Sequence, residues 1–136
     1  MADDSQRREQ LRAVAEAYFE GLRSKNFDNI PFAENVTLRA PLAPGGVNAP
    51  LRGRENLRET WWAPLPGLLG HVQLADIYMN ESLTAVVGEA EIEVRTDPPV
   101  KLLVADRFTM DDDGKIVEQV NYFDPRDLTD PGWQHR

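Results

Sequence analysis

No cysteine occurs in the 136 residues, which removes disulfides, thiol nucleophiles and cysteine-ligated metals from consideration. Basic charge is also scarce. Fifteen Lys and Arg stand against 23 Asp and Glu, a formal net charge of −8, so the chain lacks the basic patches that nucleic acid or an anionic membrane requires. No stretch approaches the roughly 20 apolar residues of a membrane span. The opening Met-Ala-Asp-Asp-Ser-Gln-Arg-Arg-Glu has no apolar run behind its charges and does not read as a signal peptide. Histidine is limited to His71 and His135, with no pair at metal spacing; each reads as a lone ligand or base, or as a solvated side chain. Glycine-rich phosphate loops and the Gly-x-Ser-x-Gly elbow are absent. The expectation is a cytoplasmic protein without metal or organic cofactor.

What is present is enough for one folded unit. The length suits a single domain, 1–136, and 41% hydrophobic residues are normal for a globular chain. Asp3, Asp4 and Ser5 can cap a helix, behind which Leu11, Val14, Ala15, Tyr18, Phe19 and Leu22 recur on one helical face as far as about Ser24. Tyr18 sits mid-stripe, either as a core tyrosine or as a hydrogen-bond donor aimed into a pocket. Phe27 to Ile30 adds a turn before Pro31, and Asn35 to Ala40 alternates as a short strand. The Pro- and Gly-rich stretch 41–50 reads as a loop, a pocket lid or a solvated connector. Residues 53–63 form a second amphipathic helix. Leu57 and Trp61 share its apolar side there, which points Trp61 inward and Trp62 toward a rim or an interface.

The rest is strand. His71–Met79, Leu83–Arg95, Val100–Met110 and Lys115–Phe123 are separated by turn residues. Glu89, Glu91 and Glu93 fall on the solvent side of the second of these, and Asp111-Asp112-Asp113-Gly114 reads as hairpin chemistry. The tail 126–136 has no assigned structure. The order predicts an α+β fold, helices on one face of a curved, mainly antiparallel sheet.

The third of these strands is the informative one. Its period-two face carries Val100, Leu102, Val104, Asp106, Phe108 and Met110. An ionised carboxylate on an apolar face is costly unless it is paired. Asp106 therefore either finds a partner or stays protonated with a raised pKa; the raised pKa suits proton transfer on a small apolar molecule, whereas an ionised, salt-bridged carboxylate suits a structural role.

Helix 1, Ala33-Glu34-Asn35-Val36, Gly-Arg-Glu-Asn-Leu at 53–57, and Ala105-Asp106-Arg107-Phe108 followed by Asp113-Gly114-Lys115-Ile116-Val117 together resemble the nuclear transport factor 2-like superfamily. The closer likeness is to its SnoaL-like polyketide cyclase and ketosteroid isomerase branches, over roughly residues 8–125. The resemblance implies a cone-shaped α+β roll enclosing an apolar pocket, commonly a homodimer packed through the sheets. It matches Asp106 to an oxyanion-binding aspartic acid, Tyr18 to a donor tyrosine and Trp61 to a pocket aromatic. It puts Val117, Gln119, Asn121 and Phe123 at the last strand's pocket positions. The isomerase's general base falls on Ala40, which cannot move a proton. A SnoaL-like cyclase fits better, since there one aspartate does the acid/base work of an aldol-type ring closure. The superfamily's epoxide hydrolases need an Asp-Arg-Asp set, whereas Asp106 and Arg107 point to opposite faces. The implied function is a cofactor-independent cyclase or isomerase acting on an apolar carbonyl compound. Asp106 and Tyr18 are then catalytic, and Trp61, Asn121, Gln119, Phe123, Phe108, Val104 and Ala40 bind the ligand. A non-catalytic binding module and a protein-interaction domain, with Ile116, Val120 and Tyr122 facing outward, are the rivals.

Overall fold

In the computed structural model, residues 4–129 are described. The expected Asp3 cap, Trp133 and His135 lie outside them, as does the tail beyond 129. A 21-residue helix, α1 (Asp4–Ser24), buries the anticipated stripe from Leu11 to Leu22. It lies across a single six-stranded sheet formed by β1 (Phe32–Arg39), β2 (Leu51–Arg52), β3 (Leu69–Met79), β4 (Ala85–Val94), β5 (Val100–Met110) and β6 (Ile116–Tyr122). The strand order is β2-β1-β6-β5-β4-β3. Every pairing is antiparallel except β1 with β6, which is parallel. The sheet is curved and unclosed, with α1 packed on β3, β4 and β5, an α+β cone.

Arg7, at the start of α1, ties the helix to the sheet. Its guanidinium donates to the carbonyls of Leu83, Met110 and Asp111 at 2.9–3.0 Å. Gly88 lets α1 come close at the other contact, because a Cβ there would meet the Phe19 ring at 2.5 Å. The acidic hairpin is a turn, as its residues suggest. Asp111 Oδ1 accepts from the backbone N–H groups of Asp113 and Lys115, and Gly114 takes a positive φ of 79°. The loop 41–50 contains one short 3₁₀ turn, Gly46–Asn48, before β2.

Two expectations are corrected. The second helix starts as a short α-helix, α2 (Arg54–Asn56), and then widens into a π-helix over Leu57–Trp62. Its bonds run i→i+5, so residues five apart share a face. Leu57 and Trp62 are accordingly both buried, with Trp62 against Phe27 at 5.4 Å between ring centroids. Trp62 is therefore core rather than rim, and Trp61 is half-buried. The wide turn is clamped from below. Asp28 Oδ1 accepts from Arg54 at 2.8 Å and from Arg58 at 2.6 Å, and both guanidinium groups lie over the Phe27 ring.

The second correction concerns β6. Thr109 pairs with Glu118 but Met110 pairs with Ile116, so Val117 is an extra residue at a bulge. The bulge turns Ile116 inward, fully buried, and leaves Val117 half-buried. Beyond it the alternation resumes with Gln119 and Asn121 inward and Tyr122 outward. After Phe123 a last short helix, α4 (Arg126–Thr129), turns Leu128 back onto the core.

Candidate active site

Strand register builds the site. On β5 the alternation buries Leu102, Val104, Asp106, Phe108 and Met110, all on the side that faces α1. Asp106 pairs across with Asn121, and Phe108 with Gln119. Opposed residues project to the same face of a sheet, and diagonal neighbours remain within reach of long side chains. Gln119 Nε2 donates to Asp106 Oδ1 at 3.0 Å, and Asn121 Nδ2 donates to the same oxygen at 2.7 Å. Oδ2 accepts no hydrogen bond from any described residue, and Asp106 lines a cavity. Arg107, the next residue, turns to the outer face and pairs with Glu118 at 3.2 Å.

Asp106 is 1% exposed. Burial raises its carboxyl from the usual 3.8 to about 6, against the lowering effect of the two amide donors. The group is thus ionised at neutral pH and takes up a proton under mild acid. Tyr18 arrives from α1, 2% exposed, its ring stacked on Trp61 and 4.9 Å from Phe108. Burial, then the nearby charge of Asp106, pushes its phenol well above the usual 10, with Gln119 pulling the other way. Tyr18 therefore keeps its phenol proton.

The cavity measures about 260 Å³, just below the roughly 300–1,000 Å³ of ordinary ligand pockets, which favours a compact ligand. Of the ten residues the sequence places at the site, seven line it, namely Tyr18, Ala40, Trp61, Val104, Asp106, Asn121 and Phe123, whereas Val117, at the β6 bulge, is not on its wall. Gln119 and Phe108 do not line it either. Both are fully buried behind the wall, Gln119 holding the carboxylate and Phe108 backing Tyr18.

Sequence reasoning missed much of the apolar lining. Leu22, Ile92, Val94 and Leu102 come from α1, β4 and β5; Leu42 and Ala43 come from the loop after β1. Leu65 and Leu68 belong to a short helix, α3 (Leu65–Leu68), in a Pro-rich stretch that reads as a helix stop. Leu128 lies in the unassigned tail. The cluster of leucines at 65, 68 and 69 was the available signal. Leu42 and Leu68, 50% and 42% exposed, mark the mouth. Among the described residues no group of three His, Cys, Asp or Glu is placed to hold a metal ion, and His71 is exposed on β3. No helix among them is long and apolar enough to cross a membrane.

Comparison with known proteins agrees with this geometry. Residues 15–119 match the family described as the SnoaL-like domain. A Mycobacterium tuberculosis LEH-like epoxide hydrolase is similar in structure, with a TM-score of 0.68 and 24% identity over 89% of this chain and 86% of its own. The epoxide hydrolase/cyclase-like enzyme of pyran ring formation in the polyether salinomycin gives 0.67 and 22%, over 93% and 97%. Delta 5-3-ketosteroid isomerase from a Mycobacterium species gives 0.69 and 15%, over 85% and 93%. No curated protein matches the chain.

Proposed function

The chain belongs to the SnoaL-like domain family, and from that membership we propose a cofactor-independent enzyme that moves a proton on a compact, apolar carbonyl compound, in a cyclisation or an isomerisation. The observation that carries this reading is Asp106, which lines a largely apolar cavity beside the Tyr18 phenol and whose Oδ2 accepts no hydrogen bond from a described residue. Oδ2 takes the proton α to the carbonyl, and Tyr18 donates a hydrogen bond to the oxygen on which charge develops. The proton then returns to another carbon, or to the oxygen formed on ring closure. Asp106 acts as the base here. A neutral oxyanion donor, the role the isomerase resemblance implies, does not suit a carboxyl ionised at neutral pH. Trp61, Phe123 and Val104 shape the apolar walls, and Ala40 gives room.

The reading is tested without the native substrate. In deuterated buffer the protein is expected to exchange the α-protons of small cyclic ketones and enones, followed by NMR. The rate should rise with pH through about 6. Asp106→Asn should lower it by about 10²–10⁴-fold. Equal exchange by the variant, or none above buffer for any ketone tried, overturns the proposal.

Ala40, at the place of a base in the isomerase pattern, favours a second reading: a binding module with no chemistry. Ketones that bind without exchanging would establish it. For the whole molecule we infer a homodimer through the outer face of the sheet, where Leu103 is 70% exposed and Tyr122 50%. An acidic, cysteine-free composition suits the cytoplasm.

A further inference from the structure

We propose that the cavity binds compact apolar amines in their protonated form, the ammonium group seated between Asp106 Oδ2 and Asn121 Oδ1. The argument is an inventory of donors and acceptors at the polar end of the cavity. Asn121 spends its amide nitrogen on Asp106 Oδ1, which fixes the amide's orientation. Its Oδ1 then accepts no hydrogen bond from a described residue, and Asn121 lines the cavity. Asp106 Oδ2 likewise accepts none from a described residue. At this end the cavity therefore offers two strong acceptors and the hydroxyl of Tyr18, while Thr60, also on the wall, donates its hydroxyl to Asn56. A ketone oxygen uses the hydroxyl alone. An ammonium group, with three donors and no acceptor, matches the acceptors.

Charge points the same way. Among the described residues no Lys, Arg or His lines the cavity. The groups facing Asp106 are Tyr18 from α1, Gln119 and Asn121 from β6, and Gly88 opposite it on β4. None is cationic, and Arg107 is turned to the outer face. The cost of burying the carboxylate is thus already met in the folded protein, so an entering cation meets a desolvated, uncompensated partner. Trp61, Tyr18 and Phe123 supply aromatic surface of the kind that attracts a cation. The small volume limits the remainder to about one ring.

The test uses three probes of one shape: cyclohexylmethylamine, cyclohexylmethanol and cyclohexanecarboxylate, titrated calorimetrically at pH 7.5. The amine is expected to bind at least about tenfold more tightly than the alcohol, with no binding of the carboxylate. Asp106→Asn, checked for an intact fold by circular dichroism, should reduce the amine to the alcohol's affinity. Lowering the pH to 5 should weaken the amine and leave the alcohol unchanged, since Asp106 takes up a proton near 6. An alcohol that binds as tightly as the amine, or an amine indifferent to Asp106→Asn, overturns the inference. The inference needs the carboxylate but not its catalysis. Ketone exchange without amine preference defeats it alone, while amine preference without exchange upholds it and defeats the catalytic reading.

Discussion

A single carboxylate sets the behaviour of this protein at the scale of the residue. The folded state holds Asp106 near 6 against 3.8 for an ordinary aspartate, so between these values the folded chain binds more protons than the unfolded one. Its contribution to stability is complete below about pH 4 and is lost as the pH rises through 6. At about 1.4 kcal/mol per pH unit the loss is on the order of 3 kcal/mol at pH 8. Asp106→Asn keeps an oxygen for the Gln119 and Asn121 donors and removes the charge. Urea denaturation should accordingly find the variant more stable than the wild type at pH 8, by up to about 3 kcal/mol, with the difference vanishing near pH 4. A difference independent of pH would show that Asp106 is not strained by burial.

At the scale of the element, the π-helix decides which tryptophan supports the fold and which meets the ligand. Trp62→Ala should cost about 3–5 kcal/mol, the range for a large aromatic removed from a core. Trp61→Ala should cost clearly less in the same denaturation assay, because Trp61 borders empty space. Reversed magnitudes would contradict the observed packing. Here lies the limit of what could be read beforehand. Alternation alone identified the buried face of β5 and the acid on it, because period two is unambiguous in a long strand. A helix whose turn widens has no signature in residue spacing, so ordinary helical spacing pairs Leu57 with Trp61, whereas the fold pairs it with Trp62. The bulge at Val117 was equally hidden, since one inserted residue reverses the facing of Ile116 without changing composition. The amide clamp on Asp106 depended on register, and register is set by both strands together. Leu128 and α3 contact the cavity through tertiary packing of segments too short to declare themselves.

For the whole molecule, the sheet has two unlike faces. The inner face surrounds the cavity; the outer carries Leu103, Tyr122 and the ion pairs of Arg107 with Glu118 and Lys101 with Glu91. If two copies meet through it, Leu103→Glu places two like charges in the contact, on a chain already at −8. Sedimentation equilibrium should then show a dimer for the wild type and a monomer for the variant, with the same far-ultraviolet spectrum. A wild type that remains monomeric at high micromolar concentration rejects that assembly.

The parallel seam between β1 and β6 has a consequence in time. It joins Leu38 to Gln119, residues about eighty positions apart, whereas β3, β4 and β5 pair with near neighbours in sequence. As the chain leaves the ribosome, β1 emerges before β6 and waits for its parallel partner until about eighty further residues are made. Closing so long a loop is slow. The clamp that holds the carboxylate, made of Gln119 and Asn121, is also synthesised after the acid it holds. A nascent or truncated chain that stops before β6 therefore leaves that edge of β1 open and the Asp106 carboxylate without its two amide donors.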